Sequence, residues 1–312
     1  MNDVETIQID TILLRKVQAL KQVVGNTPLH KITKLFTKDK ISIYAKQEWK
    51  QLSGSVKIRA AYNIIRSAIE NGELNSSRVL LDATSGNTGI AYATIAKAVG
   101  IKVALCLPEN ASQSRKEILQ SLGAEIIYTS KFEGTDGAQQ VARSLAEKYP
   151  DRYYYASQYT NENNWKAHYF TTAIEIYNEL PGITHFVAGL GTTGTFIGTS
   201  RRLKELQPSI KVISLQPDLP MHGLEGWKHL ETAIIPAIYD PLVADEMIEV
   251  GTEESYDVLK RTAISEGMLL SPSAAANLAG AIRVAEKIGE GIIVTILSDN
   301  ADKYLDVIKL QL

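Results

Sequence analysis

The regular alternation of short β-branched runs with longer helical patterns constrains the fold of this chain most strongly. Strand-like runs cover residues 41–46, 78–82, 102–107, 125–128, 185–188, 211–215 and 292–297. Helical periodicity covers residues 55–71, 88–99, 112–122, 136–149, 165–180 and 273–288. Such alternation is typical of βαβ units, in which helices join parallel strands. The chain is therefore predicted to be an α/β protein with mostly parallel sheets.

Length and composition set the expected domain count and exclude some classes of partner. A chain of 312 residues exceeds the usual size of a single core, so we expect two domains. The apolar fraction of 45% and the charged fraction of 22% are those of an ordinary globular protein. The net charge of −2 includes no long basic run, so we expect a small-molecule partner and no nucleic acid.

Cysteine usage and hydropathy indicate a cytoplasmic protein. Cys106 is the single cysteine and lies in an apolar run, so we interpret it as a core residue rather than a reactive thiolate. Residues 1–5 lack the basic and apolar regions of a secretion signal, and no apolar stretch approaches the roughly 20 residues that span a bilayer. We expect no membrane partner. Histidine and cysteine positions show no metal-ligand spacing, so no metal is expected.

The first of three polar strand-to-helix junctions is Thr84-Ser85-Gly86-Asn87-Thr88-Gly89. Ligands bind at the carboxyl ends of parallel strands, and this loop lies at such an end. Its free N–H groups, its hydroxyls and the dipole of the following helix suit a small anion such as a carboxylate. The simpler interpretation is a helix N-cap in a tight turn, but six such residues exceed what capping requires.

The second junction is Gly189-Leu190-Gly191-Thr192-Thr193-Gly194-Thr195, whose amides and hydroxyls suit a phosphate group. It also matches G-x-G-x-x-G, and Asp218 follows the next strand at the distance expected for a ribose-binding acid. A nicotinamide-dependent oxidoreductase that uses Gly189 to Gly194 is therefore an alternative. The three threonines favour the phosphate site, because a dinucleotide fingerprint has no particular need for hydroxyls.

The third feature is Lys57, within Ser53-Gly54-Ser55-Val56-Lys57-Ile58-Arg59 at the start of a predicted helix. A lysine there is usually a solvated surface residue. In a partly desolvated site its pKa would fall, and the neutral amine could attack a carbonyl group. Spacing alone leaves both interpretations open.

Together these motifs resemble the cysteine synthase and cystathionine β-synthase family of fold-type II pyridoxal-phosphate enzymes. The ordered match extends over essentially the whole chain, and the segment 183–195 looks closest to the O-phosphoserine-using cysteine synthases of the type B group. Further matching positions are Val24-Gly25-Asn26-Thr27-Pro28-Leu29, Leu107-Pro108-Glu109-Asn110, Gln158-Tyr159 followed by Asn164 and His168, and Glu266-Gly267 before Ser273.

The resemblance implies a two-domain, three-layer architecture similar to the tryptophan synthase β-subunit. Residues 1–48 plus 161–312 would form the larger, pyridoxal-phosphate-binding domain. Residues 49–160 would form a smaller, mobile domain that binds the substrate. The family also implies a homodimer.

The same resemblance implies a role for each matching residue. Lys57 would carry pyridoxal 5'-phosphate covalently and act as the catalytic base. Asn87 would contact the phenolic oxygen of the cofactor, and Ser273 its pyridine nitrogen. A serine there implies a weaker electron sink than an aspartate, which favours β-elimination over transamination. The phosphate group would be held by Gly191, Thr192, Thr193, Gly194 and Thr195, and the substrate by Thr84, Ser85, Gly86, Thr88 and Gln158.

The implied activity is β-replacement on O-acetylserine or O-phosphoserine. The nucleophile would be sulfide or a sulfur carrier, and the product L-cysteine. An amine or another nucleophile, as in a diaminopropionate-type synthase, is the alternative within this class. A binding protein that has kept the fold without activity is a further alternative.

Several positions depart from the family pattern. Ile58 stands where relatives commonly have aspartate, which is expected to alter the support of Lys57. Ala173-Ile174-Glu175 replaces Gly-Pro-Glu, and Ala274-Ala275 replaces the Ser-Gly pair after Ser273, so the pocket floor is expected to change. Ser298-Asp299-Asn300 stands where relatives often have Pro or Cys, then Asp, then Ser or Gly.

The segment 217–243 is irregular, with several Pro and Gly residues, and a loop of this length is often functional. We expect it to be a substrate-side loop. Its candidates for reading the leaving group or second substrate are His222, Glu225, Lys228 and His229.

Overall fold

A computed structural model describes residues 9–84 and 86–309 of the chain. The described residues form ten strands: β1 (Leu29–Lys31), β2 (Ile41–Gln47), β3 (Val79–Ala83), β4 (Lys102–Pro108), β5 (Glu125–Thr129), β6 (Tyr153–Tyr155), β7 (His185–Gly189), β8 (Lys211–Pro217), β9 (Glu246–Val250) and β10 (Gly291–Leu297). They also form eleven α-helices: α1 (Thr11–Ala19), α2 (Lys57–Glu70), α3 (Asn87–Val99), α4 (Gln113–Ser121), α5 (Gly134–Lys148), α6 (Glu162–Ala167), α7 (Ala173–Glu179), α8 (Gly194–Leu206), α9 (Thr252–Glu266), α10 (Pro272–Lys287) and α11 (Leu305–Lys309).

The chain divides into two compact units. The first contains the described residues up to Val24 and Lys57–Asn163, and the second contains Gly25–Val56 and the residues from Asn164 onward. Helix α1 belongs to the first unit because it packs against α2 and α3, and Lys16 Nζ donates to Val99 O at 3.2 Å. These boundaries differ from the predicted 1–48 plus 161–312 and 49–160. The roles assigned to the two domains stay predictions.

The first unit is built on a four-stranded parallel sheet with the order β5-β4-β3-β6. Helix α5 packs against β3 and β4 over a core that includes Leu81, Ala104 and Cys106. Burial raises the pKa of the Cys106 thiol to about 12. Cys106 is therefore a core residue, as its apolar neighbours indicated.

The second unit is built on a six-stranded sheet with the order β1-β2-β10-β7-β8-β9, in which only the β1–β2 pair among these strands is antiparallel. Successive side chains of a strand point to opposite faces. Accordingly, Ile293 and Val294 of β10 belong to different hydrophobic cores, one shared with α9 and α10 and the other with α7 and α8. Helices thus cover both faces, and the predicted α/β class with mostly parallel sheets is confirmed.

The helical stretch predicted over residues 165–180 is present, but a π-helical turn at His168–Thr172 lies between α6 and α7. His168 Nδ1 lies 2.9 Å from Thr172 Oγ1 across this turn. Helix α8 also approaches closely, since a Cβ on Gly198 would lie 2.0 Å from Trp165 O. Such interruptions occur frequently at functional sites.

Some elements were not predicted, namely β1, β6, β9, α1, α9 and α11. Strands β1 and β6 have three residues each and lie at sheet edges, so pairing rather than periodicity defines them. Residues 218–245 contain no helix or strand, which agrees with the loop expected there. Within the described part of the chain, no helix combines the length and apolar character that crossing a bilayer requires.

Candidate active site

Lys57 is the first residue of α2, and the turn before it has an uncommon backbone. Ser53 and Gly54 both lie in the left-handed region, with φ of 62° and 64°. A left-handed serine is strained. Lys303 Nζ stabilises the turn by donating to the carbonyl oxygens of Ser53 (2.8 Å) and Gly54 (3.1 Å). The Lys57 side chain is half-buried.

The loop between β3 and α3 is folded back on itself by the Thr84 hydroxyl. Thr84 Oγ1 accepts hydrogen bonds from Gly86 N (3.2 Å) and Gly89 N (3.3 Å). A Cβ on Gly89 would lie 2.6 Å from Thr84 Cγ2, so only glycine fits there. Asn87 begins α3 and is half-buried. Ser85, which was predicted to bind substrate, lies outside the described residues.

Gln158 joins this loop to the end of β3. Thr88 Oγ1 donates to Gln158 Oε1 at 2.7 Å, and Gln158 Nε2 donates to Ala83 O at 2.8 Å. Thr88 and Gln158 are both buried. The structure thus brings Thr84, Thr88 and Gln158 together, three of the residues predicted to bind the substrate.

Asp82, at the end of β3, is a buried carboxyl group with no predicted role. Its Oδ1 accepts from Ala83 N at 2.8 Å and its Oδ2 from Gln158 N at 3.2 Å. Burial raises the pKa of Asp82 to about 7, although both hydrogen bonds favour the ionised form. Asp82 therefore holds the segment that carries Gln158. The sequence signal that could have identified Asp82 is an acidic residue at the end of an apolar strand.

The loop between β7 and α8, which is predicted to bind phosphate and is called the phosphate loop below, lies very close to neighbouring segments of the protein. Thr193 adopts φ of 70°, a strained conformation for a β-branched residue. A Cβ on Gly191 would lie 2.0 Å from Gly226 O, and one on Gly194 would lie 2.0 Å from Asn164 Oδ1. Thr193 Oγ1 is buried and has no hydrogen-bond partner among the residues that the structure describes.

Residues outside the loop fix the neighbouring threonines. Asn164 Nδ2 donates to Thr192 Oγ1 at 3.0 Å, and His168 Nε2 lies 3.2 Å from Thr195 Oγ1. The first N–H groups of α8 have no partner within the helix, as in any helix N-terminus. Together with the unpartnered Thr193 hydroxyl, these groups fit the phosphate of pyridoxal phosphate.

Ser273, the residue predicted at the pyridine nitrogen, lies in the first turn of α10. Its Oγ is 3.0 Å from Ser298 Oγ and 3.3 Å from Ser271 Oγ. Asn277 joins this helix to the phosphate loop, because Asn277 Oδ1 accepts from Gly189 N at 2.7 Å and its Nδ2 donates to Ser273 O at 3.1 Å. Neither Ser298 nor Asn277 had a predicted role.

The positions that depart from the family pattern lie in the hydrophobic interior. Ile58 is fully buried, as are Ala274 and Ala275 of α10. Ala173 is also fully buried. Glu175, two residues after it, accepts a salt bridge from the buried Lys46 Nζ at 2.9 Å.

The loop of residues 218–245 contacts the phosphate loop. A Cβ on Gly189 would lie 2.1 Å from the Trp227 ring. Any larger residue at position 189 would therefore clash with Trp227. His222 Nδ1 accepts from Leu224 N at 3.1 Å, and the buried His229 Nδ1 lies 3.0 Å from Thr232 Oγ1. Both histidines are therefore engaged within their own loop. Within the described residues, no group of histidine, cysteine and acidic side chains could hold a metal ion.

Known proteins identify the family. A family model described as pyridoxal-phosphate dependent enzyme matches residues 20–299. A cysteine synthase of Aquifex aeolicus is 43% identical over 296 residues, which are 92% of this chain and 90% of that protein. Cysteine synthase B of Salmonella typhimurium is 36% identical over 290 residues, which are 93% of this chain and 95% of that protein.

The fold agrees with this match. The crystal structure of a cysteine synthase from Entamoeba histolytica superposes with a TM-score of 0.88 at 28% identity and covers 100% of this chain and 93% of that one. The predicted fold-type II architecture is thereby confirmed. The family match favours pyridoxal phosphate over a nicotinamide cofactor. The chain belongs to the family of pyridoxal-phosphate dependent enzymes, and the predicted cofactor and enzyme class are confirmed.

Proposed function

We propose that this chain is a cysteine synthase, which replaces the β-substituent of an activated serine with a sulfur nucleophile to give L-cysteine. The observation that carries the proposal is the 43% identity to a cysteine synthase over 92% of the chain. The paired Thr88 and Gln158 side chains support it, because uncharged hydrogen-bonding groups beside a helix N-terminus suit the carboxylate of an amino acid.

Pyridoxal phosphate, when bound, withdraws electrons from the Cα of an amino acid and so allows a group on Cβ to leave. We assign Lys57 to the covalent link, Asn87 to the phenolic oxygen and Ser273 to the ring nitrogen. The phosphate group is assigned to Gly191, Thr192, Thr193, Gly194 and Thr195. The buried Thr193 hydroxyl supports this assignment, because it has no hydrogen-bond partner among the described residues.

Lys57 has a second task in the proposed reaction. Once the substrate amine has displaced it, the Lys57 amine takes the proton from Cα and returns it after the nucleophile has added. The substrate must be held still during this transfer, because proton transfer needs hydrogen-bond reach. We assign that task to the carboxylate contacts of Thr84, Ser85, Gly86, Thr88 and Gln158.

We propose O-acetylserine rather than O-phosphoserine as the activated serine. A phosphate leaving group is best bound by a cationic side chain. In the loop of residues 218–245, Asp218 is acidic and exposed. Burial, and then the neighbouring His229, lowers the pKa of His222, so its imidazole is uncharged at neutral pH. Lys228 is a half-buried cation of the same loop, so a clear preference for O-phosphoserine in the assay below would contradict this proposal.

The proposal is tested with protein reconstituted with pyridoxal phosphate and with its Lys57→Ala variant. Visible absorbance is recorded before and after O-acetylserine or O-phosphoserine, and cysteine is quantified after sulfide is added. We expect a spectral change and cysteine from O-acetylserine with the unaltered protein, and neither with the variant. Product from an amine but not from sulfide would favour a diaminopropionate-type synthase. Substantial cysteine formation by the Lys57→Ala variant would overturn the assignment of Lys57.

We also infer from the family that the enzyme is a homodimer in the cytoplasm. Light scattering coupled to gel filtration measures the mass in solution, for which we expect twice 34.3 kDa. Cell fractionation tests the compartment. A monomeric mass at assay concentration would contradict the inferred dimer.

A further inference from the structure

The pairing of β3 with β6 changes character just beyond the end of β6. Ala156 N still donates to Leu81 O at 2.9 Å, which continues the parallel pairing. In a pair continued further, Ala83 N would donate to Ala156 O, and Gln158 N would donate to Ala83 O. Instead, Ala83 N donates to Asp82 Oδ1 at 2.8 Å and Gln158 N donates to Asp82 Oδ2 at 3.2 Å.

Ser157 is the residue at which the chain turns away from the sheet. Its φ of 46° lies in the left-handed region, which is strained for a serine. After this turn the Gln158 side chain reaches the strand, and its Nε2 donates to Ala83 O at 2.8 Å. Asn161 Nδ2 donates to Ala156 O at 3.0 Å. Amide side chains thus satisfy the two backbone acceptors, while the two backbone donors depend on one carboxyl group.

The charge of Asp82 decides how well its carboxyl group holds both donors. An ionised carboxylate accepts both hydrogen bonds with charge assistance, whereas a protonated carboxyl group has a hydroxyl that itself donates. Asp82 is fully buried. Burial raises its pKa to about 7, so the protonated and ionised forms are both populated near neutral pH. The hold on Gln158 N therefore varies with pH.

The other titratable groups that interact electrostatically with Asp82 are phenols and one thiol. They belong to α3, β4, β6 and the segment after β6, and they are Tyr92, Cys106, Tyr154, Tyr155 and Tyr159. Burial is the main cause that raises the pKa of each, so they are uncharged at neutral pH. From α5, Arg143 acts on Tyr155, and Asp136 acts on Tyr159. The charge that changes near neutral pH in these surroundings is therefore that of Asp82.

We propose that Asp82 is a positioning residue for the reaction, because its ionised carboxylate fixes the segment that carries Gln158 and so raises the affinity for the carboxylate of the amino-acid substrate. The inference rests on the proposed function, which assigns Gln158 to that carboxylate. The contacts of the Gln158 side chain with Ala83 and Thr88 require its backbone to be in place. Protonation of Asp82 weakens the hold on that backbone, so substrate affinity falls as pH decreases below neutrality.

The test measures binding of L-serine to protein reconstituted with pyridoxal phosphate, by the change in visible absorbance. Because the amine of any amino acid titrates, the result is the ratio of the Kd of Asp82→Asn to that of the unaltered protein. We expect a ratio of about five at about pH 8, where the variant lacks a charge-assisted hydrogen bond. At about pH 6 the ratio should approach about one, because Asp82 is then protonated in the unaltered protein as well. With O-acetylserine, KM should follow the same ratio while kcat stays unchanged.

A second measurement needs no variant. Ethanolamine has the amine of L-serine but lacks its carboxylate, so Gln158 has nothing to bind. In the unaltered protein, the Kd of L-serine relative to that of ethanolamine should be about fivefold lower at about pH 8 than at about pH 6. A relative Kd that stays constant between these pH values overturns the inference.

Asp151→Asn is the matched control, because Asp151 is exposed and lies just before β6. Its Kd for L-serine should equal that of the unaltered protein at both pH values. A ratio for Asp82→Asn that does not change with pH overturns the inference and leaves the proposed function standing. A ratio that decreases as pH rises does the same, since the charge of Asp82 would then act by repelling the substrate. Failure of the unaltered protein to take up the cofactor overturns both.

Discussion

Thr88 Oγ1 lies 2.7 Å from Gln158 Oε1, so a hydroxyl in the first turn of α3 fixes an amide 70 residues later in the chain. Gln158 Nε2 is held in turn by Ala83 O. The two contacts fix the rotamer of Gln158, and with it the group proposed to bind the substrate carboxylate. Thr88 therefore supports substrate binding through Gln158, because its one hydroxyl proton is donated to Gln158 Oε1.

Replacing Thr88 with Val should weaken substrate binding more than turnover. The variant keeps the shape of the side chain but leaves Gln158 Oε1 without its donor. Losing one hydrogen bond of this kind costs about 1.5 kcal/mol, which corresponds to a rise of about tenfold in KM for the amino-acid substrate. Steady-state kinetics measure KM and kcat separately.

Thr94→Val is the control for that variant, because Thr94 lies on the same helix and its hydroxyl donates to Ile90 O within the helix. Its KM should stay unchanged. Equal changes of KM in the two variants would show that Thr88 acts only through the stability of α3.

Thr193 should be needed for cofactor affinity although its conformation is strained. Thr193→Gly removes the strain of φ 70°, so the protein without cofactor should be more stable by about 1 kcal/mol. The same variant loses the buried hydroxyl, and its Kd for pyridoxal phosphate should rise about tenfold. Thermal unfolding and absorbance titration measure the two effects.

Thr193→Ser keeps the hydroxyl and is the matched comparison. Its affinity for pyridoxal phosphate should remain near that of the unaltered protein. Unchanged affinity in Thr193→Gly would contradict the placement of the phosphate group at this threonine.

Asp82 should make stability fall as pH rises. Its folded-state pKa of about 7 is above the unfolded value, so the folded protein binds the extra proton. The resulting stabilisation is complete below the unfolded pKa and is lost as pH rises through the folded pKa. Relative to Asp82→Asn, the free energy of unfolding should fall by about 2 kcal/mol between about pH 5 and pH 7.

Urea unfolding of both proteins at the two pH values measures this difference. Asp151→Asn is a control because Asp151 is exposed. A difference between the unaltered protein and Asp82→Asn that is independent of pH would show that Asp82 is ionised throughout.

Glu266 should contribute stability that is lost in acid. Its Oε1 accepts hydrogen bonds from three successive backbone groups, Thr33 N (2.9 Å), Lys34 N (2.6 Å) and Leu35 N (2.9 Å). Burial opposes ionisation, but these bonds outweigh it and lower the pKa of Glu266. The stabilisation is therefore present above the unfolded pKa and lost as pH falls through the folded one.

Glu266→Ala should lower the free energy of unfolding at neutral pH by about 2 kcal/mol, since three backbone donors, two of them on exposed residues, lose a charged acceptor. Denaturant unfolding at neutral and acid pH measures the loss, which should shrink in acid. Glu253→Ala is the control, because Glu253 is exposed on the same helix. A loss that stays constant down to acid pH would contradict the role of the ionised carboxylate.

The sequence by itself determined the α/β class, most strands and the three polar junctions. These features depend on periodicity and on residues adjacent in the chain, such as those of Thr84-Ser85-Gly86-Asn87-Thr88-Gly89. The ordered motifs also predicted the family. Periodicity failed for the edge strands β1 and β6, because pairing with a neighbouring strand defines elements of three residues.

Only the tertiary structure decided the contacts between distant residues. The pairing of Thr88 with Gln158, the burial that shifts the pKa of Asp82, and the contact between Ser273 and Ser298 all join separate segments. Their geometry depends on strand order and helix packing, which no local pattern encodes. Hydrogen-bond direction and the cost of burying a charge vary over a few ångströms, so residue types alone leave them undetermined.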